Sequence, residues 1–526
     1  MHILTNAKIY TMDSAQPTAQ AAAVDGDRIV AVGTAEEVMN LYKPGILVED
    51  MGGAVILPGL TDSHLHLENY ALSLTMIDCE TATKEELLRR VAERAAVTPP
   101  GEWIRGHGWN QHVWEGGFGS KEELDQAAPN NPVFLTQKSL HAGWANSAAL
   151  KAANIHENST DPQNGVIERR SDGSLTGILF EEAYVLVEKA IPEDSLPRLA
   201  ENLDRAQKAL WKLGITGVHD FDRRRCFSAL QVLHQSHNLK LRVLKSIPLE
   251  DLPHAAALGL RTGFGDDTLR IGAVKMFADG ALGPKSAAMF QPYLGGDQNG
   301  MLFMDEEELY EHFQAASSSG LSVAIHAIGD RAIHHVLNAY GQLRRYEADH
   351  QLPHFRHRIE HVQHLHQGDI ARLAQYQLTA SVQPIHATSD MFTVDRYLGD
   401  LGQFAYAFRS LLDVNTAYCF GSDAPVEQPN PFYGIHAAVT RRRFNGDPDK
   451  NGWYSQQRLS LFEALAGYTV GAAYAAGCED RAGKIRKGNL ADLIVLDQDP
   501  FTLLPENLYK MLPRATMFGG DWVLRL

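Results

Sequence analysis

The 526-residue chain holds only four cysteines, Cys79, Cys226, Cys419 and Cys478. They form no Cys-x-x-Cys pair and no dense framework. A zinc knuckle and a disulfide scaffold are therefore excluded, and a reducing compartment is expected. Long apolar runs are missing as well. No stretch reaches the roughly 18 apolar residues that a membrane-spanning helix needs. The opening Met1-His2-Ile3-Leu4-Thr5-Asn6 has no basic segment followed by an apolar core, so no signal peptide is read and the expected location is cytoplasmic. Basic charge is in deficit: 48 Lys plus Arg stand against 64 Asp plus Glu, a net charge of −16. With no basic run in the sequence, nucleic acid is not an expected partner. A Gly-rich phosphate loop after a first strand is also lacking, which speaks against an open, doubly wound nucleotide-binding sheet.

What is present is a soluble, globular balance, 44% hydrophobic and 21% charged. The length suits a barrel with a satellite domain. Both chain ends carry short strand signals, over Ile3–Met12, Gln20–Gly33, Asp492–Leu496 and a hairpin around Gly519-Gly520. Neither end can close a core alone, so residues 1–58 and 480–526 are expected to form one composite β-sandwich. Residues 59–479 are expected to form the barrel. Eight apolar segments serve as its strands: Ala54–Leu60, Ile215–Asp220, Leu241–Pro248, Leu269–Asp279, Leu321–Gly329, Phe355–Gln363, Leu378–Pro384 and Asn415–Pro425. With helical stretches between them they predict an α/β fold, a (β/α)8 TIM barrel. The first crossover is far too long for a loop and predicts an inserted lobe at about 70–213. That lobe leaves the strand end that the active face of such a barrel uses.

His64 and His66 follow strand one two residues apart, a spacing that points both imidazoles the same way. Other strand ends add Lys275, His326, the Glu360-His361 pair and Asp423. The C-terminal ends of barrel strands converge on one mouth. Imidazole and carboxylate without thiolate suit zinc or a similar divalent ion. Any one of these 23 histidines alone is an ordinary rim residue; the joint pattern is what carries the metal reading. Lys275 shares parity with Ile271, Ala273 and Phe277, so it should face the interior or the mouth. Two resolutions of its charge stay open: an ion pair with an acid such as Asp279, or reaction with carbon dioxide to a carbamate that can bridge two cations.

Five segments together resemble the amidohydrolase superfamily, and within it the YtcJ-like branch that includes N-substituted formamide deformylases. They are Pro58-Gly59-Leu60-Thr61-Asp62-Ser63-His64-Leu65-His66, Lys275-Met276-Phe277-Ala278-Asp279-Gly280, His326-Ala327-Ile328-Gly329-Asp330-Arg331-Ala332, Arg358-Ile359-Glu360-His361 and Gly421-Ser422-Asp423-Ala424-Pro425. The resemblance implies one or two divalent metals, zinc first, with His64 and His66 on the more buried one. Lys275, as N6-carboxylysine, would bridge, and His326 and His361 would hold the second. It implies that Asp423 orients the attacking water and moves its proton. Ser63 stands where many relatives carry another small residue, which leaves the chemistry untouched.

The expected reaction is hydrolysis of a C–N bond other than a peptide bond, in a linear amide or N-substituted formamide. Ring opening of a cyclic amide, or deamination, is the alternative. A third reading keeps the metal as a brace in a non-enzymatic binding barrel. Asp423 argues against that, since structural zinc sites do not need it. Trp109 and His141 in the lobe, Gln383 and His386 after strand seven, and Arg409 are candidate substrate contacts, with lobe core or ordinary ion pairing as the alternatives. Trp144 is expected in the lobe core. The partner expected is a small molecule, with a homodimer left open.

Overall fold

Proline lacks the N–H that a sheet ladder uses, and glycine lets backbones approach closely. Pro58 and Gly59 use both properties. In the computed structural model of this protein, which describes residues 1–526 except 112–113, 138–141 and 164, the apolar run Ala54–Leu60 is divided between two sheets. Val55–Pro58 pairs with terminal strands, and the first barrel strand begins only at Leu60. A Cβ on Gly59 would lie 2.2 Å from Thr216 Oγ1, so only glycine fits this change of sheet. The single strand expected over Ala54–Leu60 is thereby corrected.

The barrel is one sheet of eight parallel strands in chain order: β1 Leu60–Leu65, β2 Ile215–Asp220, β3 Arg242–Pro248, β4 Leu269–Phe277, β5 Val323–Ala327, β6 Arg358–His361, β7 Thr379–Val382 and β8 Ala417–Phe420. The ring closes where Leu65 bridges Ala424 and the Asp423 N–H donates to the His64 carbonyl at 2.7 Å. Several strands are shorter than their apolar runs. Within β6 to β8 the ends of those runs turn into the loops that carry functional groups. Helices cover the outside. In Asp330–Asp349, Ile333, Val336, Leu337 and Tyr340 repeat at helical spacing and are fully buried. They share a core with Leu60, Val274, Ile325, Ile359 and Phe420.

Strands from both chain ends pair directly. One six-stranded sheet runs Asp521–Arg525, Ala515–Phe518, Leu493–Leu496, Val55–Pro58, Lys8–Tyr10, Thr18–Ala19. A four-stranded sheet holds Arg28–Gly33, Ala21–Asp25, His2–Thr5 and Leu47–Asp50. Leu4, Val24 and Ile29 from the second sheet bury against Ile56, Leu493, Val495 and Met517 from the first. Ile3–Met12 is two strands in different sheets, with Asn6 in a left-handed conformation at φ 52 between them. The Asp492 carboxylate accepts from the Arg242 guanidinium at 2.8 Å, which ties this region to β3.

These parts form one compact unit, Met1–Tyr70 with Leu199–Leu526; Ala71–Arg198 forms a second. The helix Leu196–Lys212 thus lies mostly in the barrel unit, and the lobe ends earlier than residue 213. The lobe has a six-stranded sheet with a core on each face. Trp109, Trp114, Trp144, Leu87 and Val91 fill one; Phe134, Leu150, Ile167 and Val187 fill the other. Among the described residues no helix is long and apolar enough to cross a membrane.

Candidate metal centre

The mouth of the barrel gathers imidazoles whose outward nitrogens are already committed. His64, fully buried, bonds the Glu360 carboxylate through Nδ1 at 2.6 Å. Among the described residues its Nε2, which is buried, has no hydrogen-bond partner, and it lies 3.6 Å from Asp423 Oδ1. His66 bonds Asp222 through Nδ1 at 3.2 Å, and its Nε2 is 3.5 Å from the same Asp423 oxygen. His361 Nδ1 meets Gln383 Oε1 at 2.9 Å. His326 Nε2 meets the Gly280 carbonyl at 3.0 Å, which leaves Nδ1 for the site. Ligating histidines characteristically use the second ring nitrogen in this way, which fixes tautomer and orientation. His64, His361 and Asp423 each offer a ligand atom within 4.8 Å of the others. The His326 ring centroid is 4.5 Å from that of His361.

The electrostatics suit a cation. Burial, reinforced by the Lys275 charge, pushes His64 and His326 down to about 4, so both imidazoles are neutral at pH 7. Burial and the neighbouring imidazoles of His326 and His64 also hold His361 well below its ordinary value. Burial alone would raise Asp423, but the His66 hydrogen bond and the imidazoles around it hold its carboxyl well below the usual range. His66 behaves oppositely. Burial opposes its protonation, yet Asp222 and Asp423 raise it to about 9. A cation beside Asp423 would compete with that proton. A partnerless buried Nε2 beside neutral imidazoles and a carboxylate is a donor set that fits a divalent metal.

Lys275 is 5% exposed. Asp279 is not its partner: that carboxylate accepts the N–H groups of Ile328, Gly329 and Ala288, which clamps the loop after His326. Lys275 Nζ instead sits 4.3 Å from the Phe221 ring centroid, and Phe221 stacks on His64 at 4.2 Å. Burial lowers the Lys275 amine to about 8, against the pull of Glu360 and Asp423.

Several further groups support these side chains through partners distant in sequence. Glu360 lies between His64 and the Arg358 guanidinium, whose Nε is 2.5 Å from Glu360 Oε1. Arg358 also donates to the Ser63 carbonyl and Ser381 Oγ. Asp62 accepts from the N–H groups of His64 and Ser422, joining the first and last strand ends. Asp222 receives His66, Glu68 N–H and Asn69. Three site residues adopt the left-handed region, His361 at φ 73, Val362 at φ 48 and Asp423 at φ 61. For a β-branched valine this is a rare conformation, of the kind that clusters at functional sites.

Among the candidate substrate contacts, Gln383 and His386 are at this mouth. His386 lies parallel to His361 at 6.3 Å, and Gln363 Nε2 approaches its Nδ1 at 3.4 Å. Its Nε2 is buried and has no partner among the described residues. Two others are placed elsewhere. Trp109 is 1% exposed in the lobe core, and its indole N–H donates to the Leu135 carbonyl at 2.8 Å. Arg409 binds the Glu463 carboxylate, with one N···O distance of 2.9 Å, at the start of the helix capped by Ser460. Its charge is spent on a structural pair. His141 lies outside the described residues.

Residues 47–524 match the model of a family described as the amidohydrolase family. The chain is 32% identical to the N-substituted formamide deformylase of Arthrobacter pascens, with 98% of this chain and 97% of the relative covered. It is 34% identical to Protein LONG AFTER FAR-RED 3 of Arabidopsis thaliana, over 98% of this chain and 90% of that protein. Its fold matches the crystal structure of an uncharacterized metal-dependent hydrolase from Pyrococcus furiosus with a TM-score of 0.80 and 30% identity, over 95% of this chain and all of that one.

Proposed function

This chain belongs to the amidohydrolase family and is a hydrolase, and on that premise we propose that it cleaves a C–N bond outside peptides, in a linear amide or N-substituted formamide. The observation that carries the reading is the buried, partnerless His64 Nε2 beside His361 and Asp423. His64, His66, His361 and Asp423 would hold a divalent cation, zinc by the chemistry of the donors, with His326 and Lys275 offering a second position. Such a cation, when bound, supplies the positive charge that acidifies a water and polarises a carbonyl oxygen.

The chain's own residues do the rest. Asp423, ionised at neutral pH, accepts the proton of the attacking water and passes it to the leaving nitrogen. Glu360 holds His64 by Nδ1 and thereby keeps the Nε2 lone pair free. Gln383 does the same for His361. His386 takes its proton on Nε2 when Nδ1 accepts from Gln363, and that N–H is the donor for the substrate oxygen. Lys275 becomes N6-carboxylysine. Its neutral amine fraction adds to carbon dioxide, a proton leaves, and the buried ammonium is replaced by an anion.

The amide reading rests on the deformylase relative together with this site. Its test is product analysis with N-benzylformamide, N-acyl amines and N-acyl amino acids, in the presence of Zn²⁺, Mn²⁺ or chelator. Formate or carboxylate released with an equal amount of amine is the expected result. Ammonia release from amino-heterocycles, with no amide turned over, would replace it with deamination.

A further inference from the structure

A cavity of about 350 Å³ lies beside the loops that follow β5 and β6. That volume is of the size that holds small ligands, roughly 300–1,000 Å³. Its walls are largely apolar, with Phe290, Leu398, Leu401 and Phe404 prominent among them. Phe290 is 44% exposed, unusual for so large an apolar ring, and stands edge-on to His334 and His366 at 5.4 and 5.9 Å. None of the residues assigned to the metal centre lines this cavity.

The polar groups in the walls set the sign of an occupant. Asp330 is the one carboxylate among the lining residues. It is 8% exposed, and its carboxylate accepts the Phe290 N–H on Oδ1 at 2.8 Å and the backbone N–H of Arg331. The nearby guanidinium of Arg331 is turned to the Gly300 carbonyl. His366 accepts the Gly368 N–H on Nδ1, so that nitrogen is already engaged. His334 is engaged by Asp369 at 3.0 Å. His364 is 3% exposed, and neither of its ring nitrogens has a partner among the described residues. A buried carboxylate and the partnerless His364 imidazole both carry a desolvation cost that a donor-bearing occupant relieves. An anion would face the Asp330 carboxylate; a cation would meet it.

We propose that this cavity binds a small primary amine with an apolar body, its ammonium set against Asp330 and its body against Phe290, Leu398, Leu401 and Phe404. The site stands apart from the proposed reaction, because it is read by equilibrium binding and needs no turnover. 2-Phenylethylamine, protonated at pH 7, is the probe, titrated into the metal-loaded protein by calorimetry or ligand-observed NMR. One saturable site is expected. Asp330→Asn should weaken it roughly tenfold or more, the loss of a charge-assisted hydrogen bond. Leu401→Trp, which fills the cavity, should abolish it while the thermal unfolding midpoint is kept. 2-Phenylethanol, the neutral analogue, should bind wild-type protein roughly tenfold more weakly or worse. Should Asp330→Asn fail to fold, the Leu401 variant and the alcohol carry the test. No saturable binding up to about 10 mM, equal binding of amine and alcohol, or undiminished binding in the filled variant would each overturn the assignment.

Discussion

Replacing Glu360 by glutamine probes the link between stability and metal binding. The wild-type carboxylate is completely buried and serves two partners, Arg358 and His64. Burial opposes its charge, but Arg358 and His64 together hold it well below the ordinary range. Glutamine keeps the volume and loses the charge. One end of the amide must then present N–H groups either to the Arg358 guanidinium or to His64 Nδ1, and donor faces donor or the imidazole tautomer is reversed. Arg358, 2% exposed, is left as an uncompensated cation. Breaking a buried pair from one side costs roughly 3–5 kcal/mol, a large part of the roughly 5–15 kcal/mol that holds a domain together. Loss of the group that orients a metal-bound histidine costs about 10–100-fold in metal affinity or activity. Urea unfolding of the chelated protein reads the first effect, and competition with a chromophoric chelator reads the second. A Glu360→Gln protein with wild-type stability and wild-type zinc affinity would refute the reasoning.

Asp423→Asn should keep its fold and lose roughly 10²–10⁴-fold in kcat; near-normal turnover at pH 7 would remove Asp423 from its assigned role. Trp109→Ala should destabilise the lobe by roughly 3–5 kcal/mol and change kcat/KM for small and bulky amides in parallel, because the ring is core; a selective effect on bulky substrates would show otherwise. Deleting residues 492–526 removes three strands and uncovers Val55–Pro58, so the product should be insoluble, and a soluble active truncation would contradict the shared core. Glu347 is buried, which alone would raise it, but His357, Ser317 and Arg344 hold it down at about 2. Because its folded value lies below the unfolded one, its contribution is present above about pH 4.5 and is lost as pH falls toward 2. Glu347→Gln should flatten acid unfolding in that window; an unchanged profile would count against the pairing.

The barrel was legible because its strands are apolar runs separated by helical periods. The strand ends were legible because imidazole, amine and carboxylate stand out at the close of such runs. His64 and His66 show their common direction through a period of two, a purely local property. The roles of Glu360 and Asp222 are not local: their histidine partners lie 296 and 156 residues away. Pro58-Gly59 marks a candidate break in the run Ala54–Leu60, but the run stays apolar across it and the contact that demands glycine, Thr216, is distant in sequence. Trp109 beside glycines fits a pocket wall and a packed core equally well, and only the Leu135 carbonyl under its indole N–H separates the two. Arg409 is similarly indifferent until Glu463 is brought to it by the capped helix.

The central claim is that His64 Nε2 faces a catalytic cation. Anomalous diffraction at the zinc edge, on crystals of enzyme first shown to be active, tests it most directly. The account predicts a peak roughly 2.0–2.2 Å from His64 Nε2, in contact with Asp423, and lost together with activity on chelation. Active crystals with no anomalous peak near His64 would contradict it.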